Sequence, residues 1–270
     1  MSSGQFDMLG TLGFTYIGGP TALLEISGLR LLTDPGFDPA GTRFEAGRYV
    51  LRRTAGPAVP DEAVLPVDAV LLSHDHHFDN LDGAGRNLLP RAERVITTHD
   101  GAERLGGKAI GLRPWESVEL RAGDSTVKIT ATPARHGPEG GDRGPVIGFI
   151  LEPSANPGRA IYISGDTVYY EGIEEVARRF RVGTAILFMG AARVEAVGPQ
   201  HLTLTADEGV AVARLMPDAA IVPLHFEGWE HFSEGREVIE RTFSGAGLGD
   251  RLIWGEPGRR IAIPAGDNAS

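Results

Sequence analysis

Cysteine is absent from this chain. Disulfides, thiolate ligands and cysteine nucleophiles are therefore excluded together, and any metal site has to be built from nitrogen and oxygen donors. Long hydrophobic runs are lacking too. No stretch approaches the roughly 20 apolar residues that span a bilayer, so stable membrane insertion is not expected. The opening residues, MSSGQFDMLG, have neither the basic start nor the apolar stretch of a secretory signal. With the missing cysteines, this reads as a cytoplasmic protein. Positive charge is also scarce. Lys+Arg total 26 against 36 Asp+Glu, a net charge of −10, which repels phosphate backbones and makes nucleic acid a poor partner.

What is present suits an ordinary soluble protein. The 270 residues are 41% hydrophobic, enough to bury a sizeable core. No internal repeat and no shift of composition divides the chain, so residues 1–270 read as one domain. Short β-rich segments dominate the first two-thirds: residues 11–17, 21–27, 30–33, 67–73, 95–98, 117–120, 127–132, 146–152 and 160–164. Residues 219–224 form a later strand, and residues 251–263 read as a closing pair of strands. Ile173, Val176, Ala177 and Phe180 recur at helical spacing. Thr205 with Glu208 forms a capping box ahead of Val210, Val212, Ala213 and Met216. Ser233 is expected to cap a third helix carrying Val238, Ile239 and Phe243. Residues 35–66, rich in Gly, Pro and Arg, read as one long functional loop. Strands and helices alternate in both halves, which predicts two sheets sandwiched between helices.

The placement of the eight histidines is the informative feature. Three fall in Ser73-His74-Asp75-His76-His77-Phe78-Asp79-Asn80, directly after an apolar strand. Residues two apart on extended chain share a side, so His74 and His76 can converge on one ion, with Asp79 near enough to add an oxygen. His136, Asp166 and His225 each follow the end of another predicted strand, the edge where layered folds build their sites. His99 and His231 have no such context.

The ordered set resembles the metallo-β-lactamase superfamily, in particular its branch of ascorbate-6-phosphate lactonase-like and N-acyl-phosphatidylethanolamine phospholipase D-like hydrolases. Gly18-Gly19-Pro20-Thr21 with Leu31-Leu32-Thr33-Asp34-Pro35 is similar to that branch's opening hairpin, and His201-Leu202-Thr203 to its His-Met-Thr-Pro segment. The resemblance implies an α/β (α+β) four-layer αββα sandwich carrying two divalent ions, zinc first, with manganese or iron as alternatives. It places His74, His76 and His136 on the first ion, Asp79 and His225 on the second, and Asp166 between them. The family's His-x-His-x-Asp-His is altered here: one residue is inserted and Asn80 stands at the last histidine. A neutral amide oxygen is the weaker ligand for zinc-like ions, which points to a weak second site or a harder ion, unless His77 turns inward.

Such a pair of ions activates water for hydrolysis of an ester, lactone, amide or phosphodiester in a small substrate. His201 is the candidate proton donor outside the metal set, and Asp79 is counted with it as a candidate catalytic residue. Asp75 and Asp34 read as supports for ligands. Arg52, Arg53, Arg135 and Arg143 could receive an anionic group, and Phe226, Trp229 and Phe232 could wall a pocket. A homo-oligomer is compatible with exposed apolar loop residues. The alternative is a non-hydrolytic or di-iron redox member of the same fold, which the resemblance associates with a carboxylate at the position of His76 and a flavin-binding partner domain.

Overall fold

A computed structural model describes residues 11–140 and 143–264. Fifteen strands and six α-helices are found among these residues. The first sheet takes β1 (Thr11–Gly18), β2 (Thr21–Ile26) and β3 (Leu29–Thr33). After the hairpin β4 (Arg43–Ala46) and β5 (Tyr49–Arg52) and helix α1 (Asp61–Val64), the chain returns as β6 (Ala69–Leu71). Helix α2 (Gly83–Leu88), β7 (Val95–Thr98), α3 (His99–Leu105) and β8 (Ala109–Leu112) follow. The second sheet begins with β9 (Ser117–Ala122), β10 (Ser125–Pro133), β11 (Ile147–Pro153) and β12 (Ala160–Ile163). It continues through α4 (Glu171–Arg179), β13 (Val182–Phe188), α5 (Ala206–Leu215), β14 (Ala220–Leu224) and α6 (Arg236–Gly245), before β15 (Arg260–Pro264) closes onto the first sheet. The sheet orders are β15-β1-β2-β3-β6-β7-β8 and β14-β13-β12-β11-β10-β9.

Alternation along the strands assembles the layers, because successive side chains leave opposite faces of a sheet. In β2 and β3, Leu24 and Leu31 face the partner sheet and join Phe149, Ile186 and Phe188 in a shared core. Leu23 and Leu32 face the other way, against Val64 and Leu88 of the helices on the outer side. In β13, Ile186 and Phe188 point inward, while Ala185 and Leu187 pack against Ile173, Val212 and Phe243 of α4, α5 and α6. The result is the expected order of helices, sheet, sheet, helices.

Several sequence expectations shift. The capping box forms: the Thr205 hydroxyl accepts from Glu208 N at 3.1 Å, and the Glu208 carboxylate accepts from Thr205 N at 2.9 Å. Ser233 caps no helix. Its hydroxyl donates to the Ala191 carbonyl at 2.7 Å, and α6 starts after Gly235. Residues 251–263 supply one strand rather than two. Arg251 instead donates to the Ala213 and Ala219 carbonyls at 2.7 and 3.0 Å, tying down the end of α5. β13, an apolar stretch buried along its whole length, is absent from the sequence reading because a strand buried on both faces shows no polar alternation.

The long segment at residues 35–66 is ordered and contains β4, β5 and α1. Arg53 anchors it. Its guanidinium is buried and donates to Asp82 Oδ2 at 2.7 Å, the Gly36 carbonyl at 3.0 Å and the Ala55 carbonyl at 2.9 Å. The other oxygen of Asp82 accepts from Gly85 N at 2.7 Å and caps α2. Arg53 is thereby unavailable to a substrate. Removing one member of a buried, hydrogen-bonded ion pair strands the other, at a cost of about 3–5 kcal/mol. Arg53→Ala should therefore lower the thermal midpoint by roughly 10 °C; an unchanged midpoint would contradict this structural role.

Candidate metal centre

One rim of the sandwich collects the loops after β3, β6, β10, β12 and β14. They bring Asp34, the segment from Ser73 to Asn80, His136, Asp166 and His225 together. Backbone strain marks two of these positions: Asp34 and His225 have φ of 27° and 56°, a region side chains adopt mainly where surrounding structure enforces it. The His225 amide, donating to the Gly19 carbonyl at 2.9 Å, helps hold that turn.

His74, His136, Asp166, Asp79 and His225 come together as the sequence led one to expect, within groups of mutually close donor atoms. The histidine triplet behaves differently. β6 ends at Leu71, so the segment bearing the triplet is a turn rather than extended chain, and spacing by two no longer dictates a common side. His77 turns inward. Its Nδ1 lies 2.9 Å from His74 Nε2 and 3.2 Å from His136 Nε2. His76 also groups with His74 and His77, but its Nε2 is 2.9 Å from the Arg143 carbonyl, a contact that fixes a proton on that nitrogen.

Two further contacts set the tautomers. His136 Nδ1 lies 2.8 Å from the Leu202 carbonyl and must donate to it. The Ser73 hydroxyl donates to Asp34 Oδ1 at 2.7 Å and sits 2.9 Å from His74 Nδ1; with its single proton engaged, it accepts from that nitrogen. The Nε2 lone pairs of His74 and His136 are then both directed at the centre. Burial, reinforced by neighbouring imidazoles, holds His74 well below its ordinary pKa, and burial with His136 nearby takes His77 down to about 3. These rings stay neutral, the form that ligates metals.

Asp166 occupies the middle. Its Oδ2 is 3.6 Å from His136 Nε2 and 3.9 Å from His74 Nε2, whereas Oδ1 is 3.4 Å from His225 Nε2. Asp79 Oδ2 lies 3.5 Å from His225 Nε2 and 3.0 Å from His231 Nε2. Burial disfavours charge on both carboxylates, yet His225, joined at Asp79 by His231, holds them below the usual range. The same carboxylates overcome the burial of His225 and push its pKa up to about 10. His231 carried no signal in the sequence, because its role depends on a contact with Asp79 across 152 positions.

The donor set fits a divalent cation. Both oxygens of Asp166 and both ring nitrogens of His225 are buried without a hydrogen-bond partner among the described residues, an arrangement that is costly unless a ligand completes it. His74, His77, His136 and Asp166 offer a nitrogen-rich group, and Asp79, Asp166 and His225 an oxygen-richer one. Asn80 is buried beside Asp79, and its amide too has no hydrogen-bond partner among the described residues.

The outer residues are placed as follows. Asp75 binds Arg104 through two contacts of 2.9 and 2.5 Å, and its Oδ1 is 4.0 Å from His76 Nδ1. His201 lies outside the cluster's close groups. Its Nε2 is 3.1 Å from Glu208, which holds its pKa above the ordinary value, and it precedes Leu202, whose carbonyl positions His136. Arg52 pairs with Glu230 at 3.4 Å, Arg143 donates to the Tyr49 hydroxyl at 3.1 Å, and the Arg135 guanidinium lies over the Tyr170 ring. Phe232 packs its edge on His225 at 4.8 Å, Trp229 joins Phe44, and Phe226 belongs to the outer core with Trp254.

Several known proteins are similar to this chain. Among relatives, a UPF0173 metal-dependent hydrolase of Opitutus terrae is 29% identical over 222 residues, covering 78% of this chain and 83% of its own. Isothiocyanate hydrolase from Delia radicum gut bacteria superposes with a TM-score of 0.79 at 25% identity, over 94% of this chain and 99% of that one. CmlA, a diiron β-hydroxylase from Streptomyces venezuelae, superposes with a TM-score of 0.61 at 14% identity, over 94% of this chain and 54% of that one, a likeness of fold alone. The family model of the beta-lactamase superfamily domain matches residues 29–226. The fold is thus of the metallo-β-lactamase type, and the chain belongs to the beta-lactamase superfamily domain family.

Proposed function

We propose that this protein is a metal-dependent hydrolase that holds two divalent cations and adds water across an ester, lactone or phosphodiester bond of a small molecule. The observation that carries this reading is the position of Asp166, with one oxygen toward His74 and His136 and the other toward His225. His74, His77 and His136 would hold the first cation, and Asp79 and His225 the second, with Asp166 shared. His77 takes the place first given to His76. Zinc suits the nitrogen-rich group, and the oxygen-richer one would also accept manganese or iron. Cations held by these residues would supply activation of water near neutral pH and polarisation of a scissile carbonyl or phosphoryl group.

The chain's own residues supply the rest. Burial keeps the rings of His74 and His77 neutral, so that each retains one nitrogen lone pair for a cation. Ser73 and the Leu202 carbonyl keep the rings of His74 and His136 aimed. Glu208 beside His201 Nε2 raises the pKa of that ring and so favours its protonated form, which can give a proton to the leaving oxygen. Hydrolysis balances if the hydroxyl of water goes to the acyl carbon or phosphorus and a proton goes to the departing oxygen. A di-iron redox role is less well supported, because imidazoles occupy the region where it would call for a carboxylate.

Elemental analysis of protein purified without added metal should find about two equivalents of zinc, manganese or iron, with turnover of 4-nitrophenyl esters or of bis-4-nitrophenyl phosphate. Metal-free, inactive protein would refute the reading. His77→Ala should lose about one equivalent while His76→Ala keeps both; the reverse result would restore His76 to the first site. Ser73→Ala should weaken metal binding about 10- to 100-fold in competition with a chromogenic chelator, the usual effect of losing a contact that orients a ligand. For His201 the sign is fixed by Glu208. Because Glu208 raises the pKa of His201, an activity needing charged His201 falls as pH rises through that value. Glu208→Gln, which can still close the capping box, should move this alkaline limb to lower pH; an unmoved limb would exclude His201 as the proton donor.

A further inference from the structure

The loop between β10 and β11 brings Arg143 against the metal centre by its backbone. Its amide donates to the His136 carbonyl at 2.7 Å, and its carbonyl accepts from His76 Nε2 at 2.9 Å. A Cβ added to the next residue, Gly144, would come within 3.0 Å of the same His76 nitrogen, so this stretch of chain lies directly on the imidazole. The His76 side chain is 25% exposed whereas that of His74 is sealed. The contact therefore marks the solvent side of the centre.

From there the Arg143 side chain reaches the β4–β5 hairpin, where Nη2 donates to the Tyr49 hydroxyl at 3.1 Å. Tyr49 packs against Phe44, Leu51 and Trp229, and Phe44 stacks at 5.0 Å on Phe78, the residue between His77 and Asp79. The guanidinium thus bridges two walls that both touch the histidine segment.

Its charge is unmatched. Among the described residues the Arg143 guanidinium, although partly buried, is met by a neutral hydroxyl and by no carboxylate. The other arginines that the sequence offered are engaged: Arg52 with Glu230, Arg53 on Asp82, and Arg135 over the Tyr170 ring. A guanidinium has five N–H donors. With one of them on Tyr49, a bidentate contact to an oxyanion remains open. Partial burial against a neutral group costs a cation hydration that an anion restores. The carboxylates of Asp79 and Asp166 would not neutralise a pair of divalent ions, so an anion placed here would meet positive charge on both sides.

We propose that Arg143 binds an oxyanion, a carboxylate or a phosphate, that the substrate carries beside its scissile bond. The assignment rests on the hydrolase reading for the reacting bond, and it names the substrate class as small and anionic.

The test uses metal-loaded protein and three acetate esters that share one ring: 3-carboxyphenyl, 3-phosphonooxyphenyl and the neutral 3-carbamoylphenyl acetate. At least one anionic ester should exceed the carbamoyl ester in kcat/KM by about tenfold, the usual worth of a charged hydrogen bond. Arg143→Ala, at unaltered metal content, should reduce that ratio by about the same factor, and the ester whose ratio falls further identifies the anion. Arg143→Gln, close in size, should do the same if the alanine variant does not fold. No preference in the unsubstituted protein, or a ratio unmoved by both variants, would overturn the assignment while leaving the hydrolase reading intact. If no ester is turned over, titration calorimetry with 3-hydroxybenzoate and 3-hydroxyphenyl phosphate decides. Binding about tenfold weaker in Arg143→Ala upholds the anion contact while the hydrolase reading falls; equal or absent binding removes both.

Discussion

The carboxylate of Asp166 is the constraint around which the rim is organised. It is fully buried, with no hydrogen-bond partner among the described residues, and in a medium of low polarity such a group is tolerated only with compensation close by. His136 and His74 stand on one side of it, and His225 on the other. The same carboxylate, with Asp79, favours the charged form of His225 so strongly that burial is overridden. A cluster of this kind stores an electrostatic imbalance that a proton can relieve in part and divalent cations can relieve more fully.

Keeping that arrangement in place is the task of contacts one step removed. The Ser73 hydroxyl links Asp34 to His74, and the Leu202 carbonyl holds His136. These settle which nitrogen of each ring carries the proton, a choice that the ring alone would leave nearly even. The strained backbone at Asp34 and His225 has the same logic: local conformational cost is accepted where the packed sheets on either side dictate the side-chain direction. His231 supports Asp79 from outside the groups of close donors.

Residues 35–66 pack against this rim. Their hairpin is fastened at its root by Arg53 on Asp82 and at its face by Phe44 against Phe78 and Trp229. An arginine that the sequence offered as an anion receptor is thus a fastener. The difference lies in burial: a guanidinium bonded to protein through all three nitrogens and 2% exposed is closed to a ligand.

The order of strands and helices, the two-sheet sandwich and the gathering of His74, Asp79, His136, Asp166 and His225 were legible in the chain itself. Apolar alternation and the fall of chemically active residues just past strand ends are local patterns, and local patterns survive in one dimension. Composition alone settled that the donors would be nitrogen and oxygen. Tertiary structure decided what depends on distant partners. It chose His77 over His76 for the contact with His136, because the chain leaves its strand at Leu71 and turns. It recruited His231 from 152 positions away, and it turned Arg53 inward. Each of these choices is made by where a side chain is buried and what meets it there, information that spacing along a sequence does not carry.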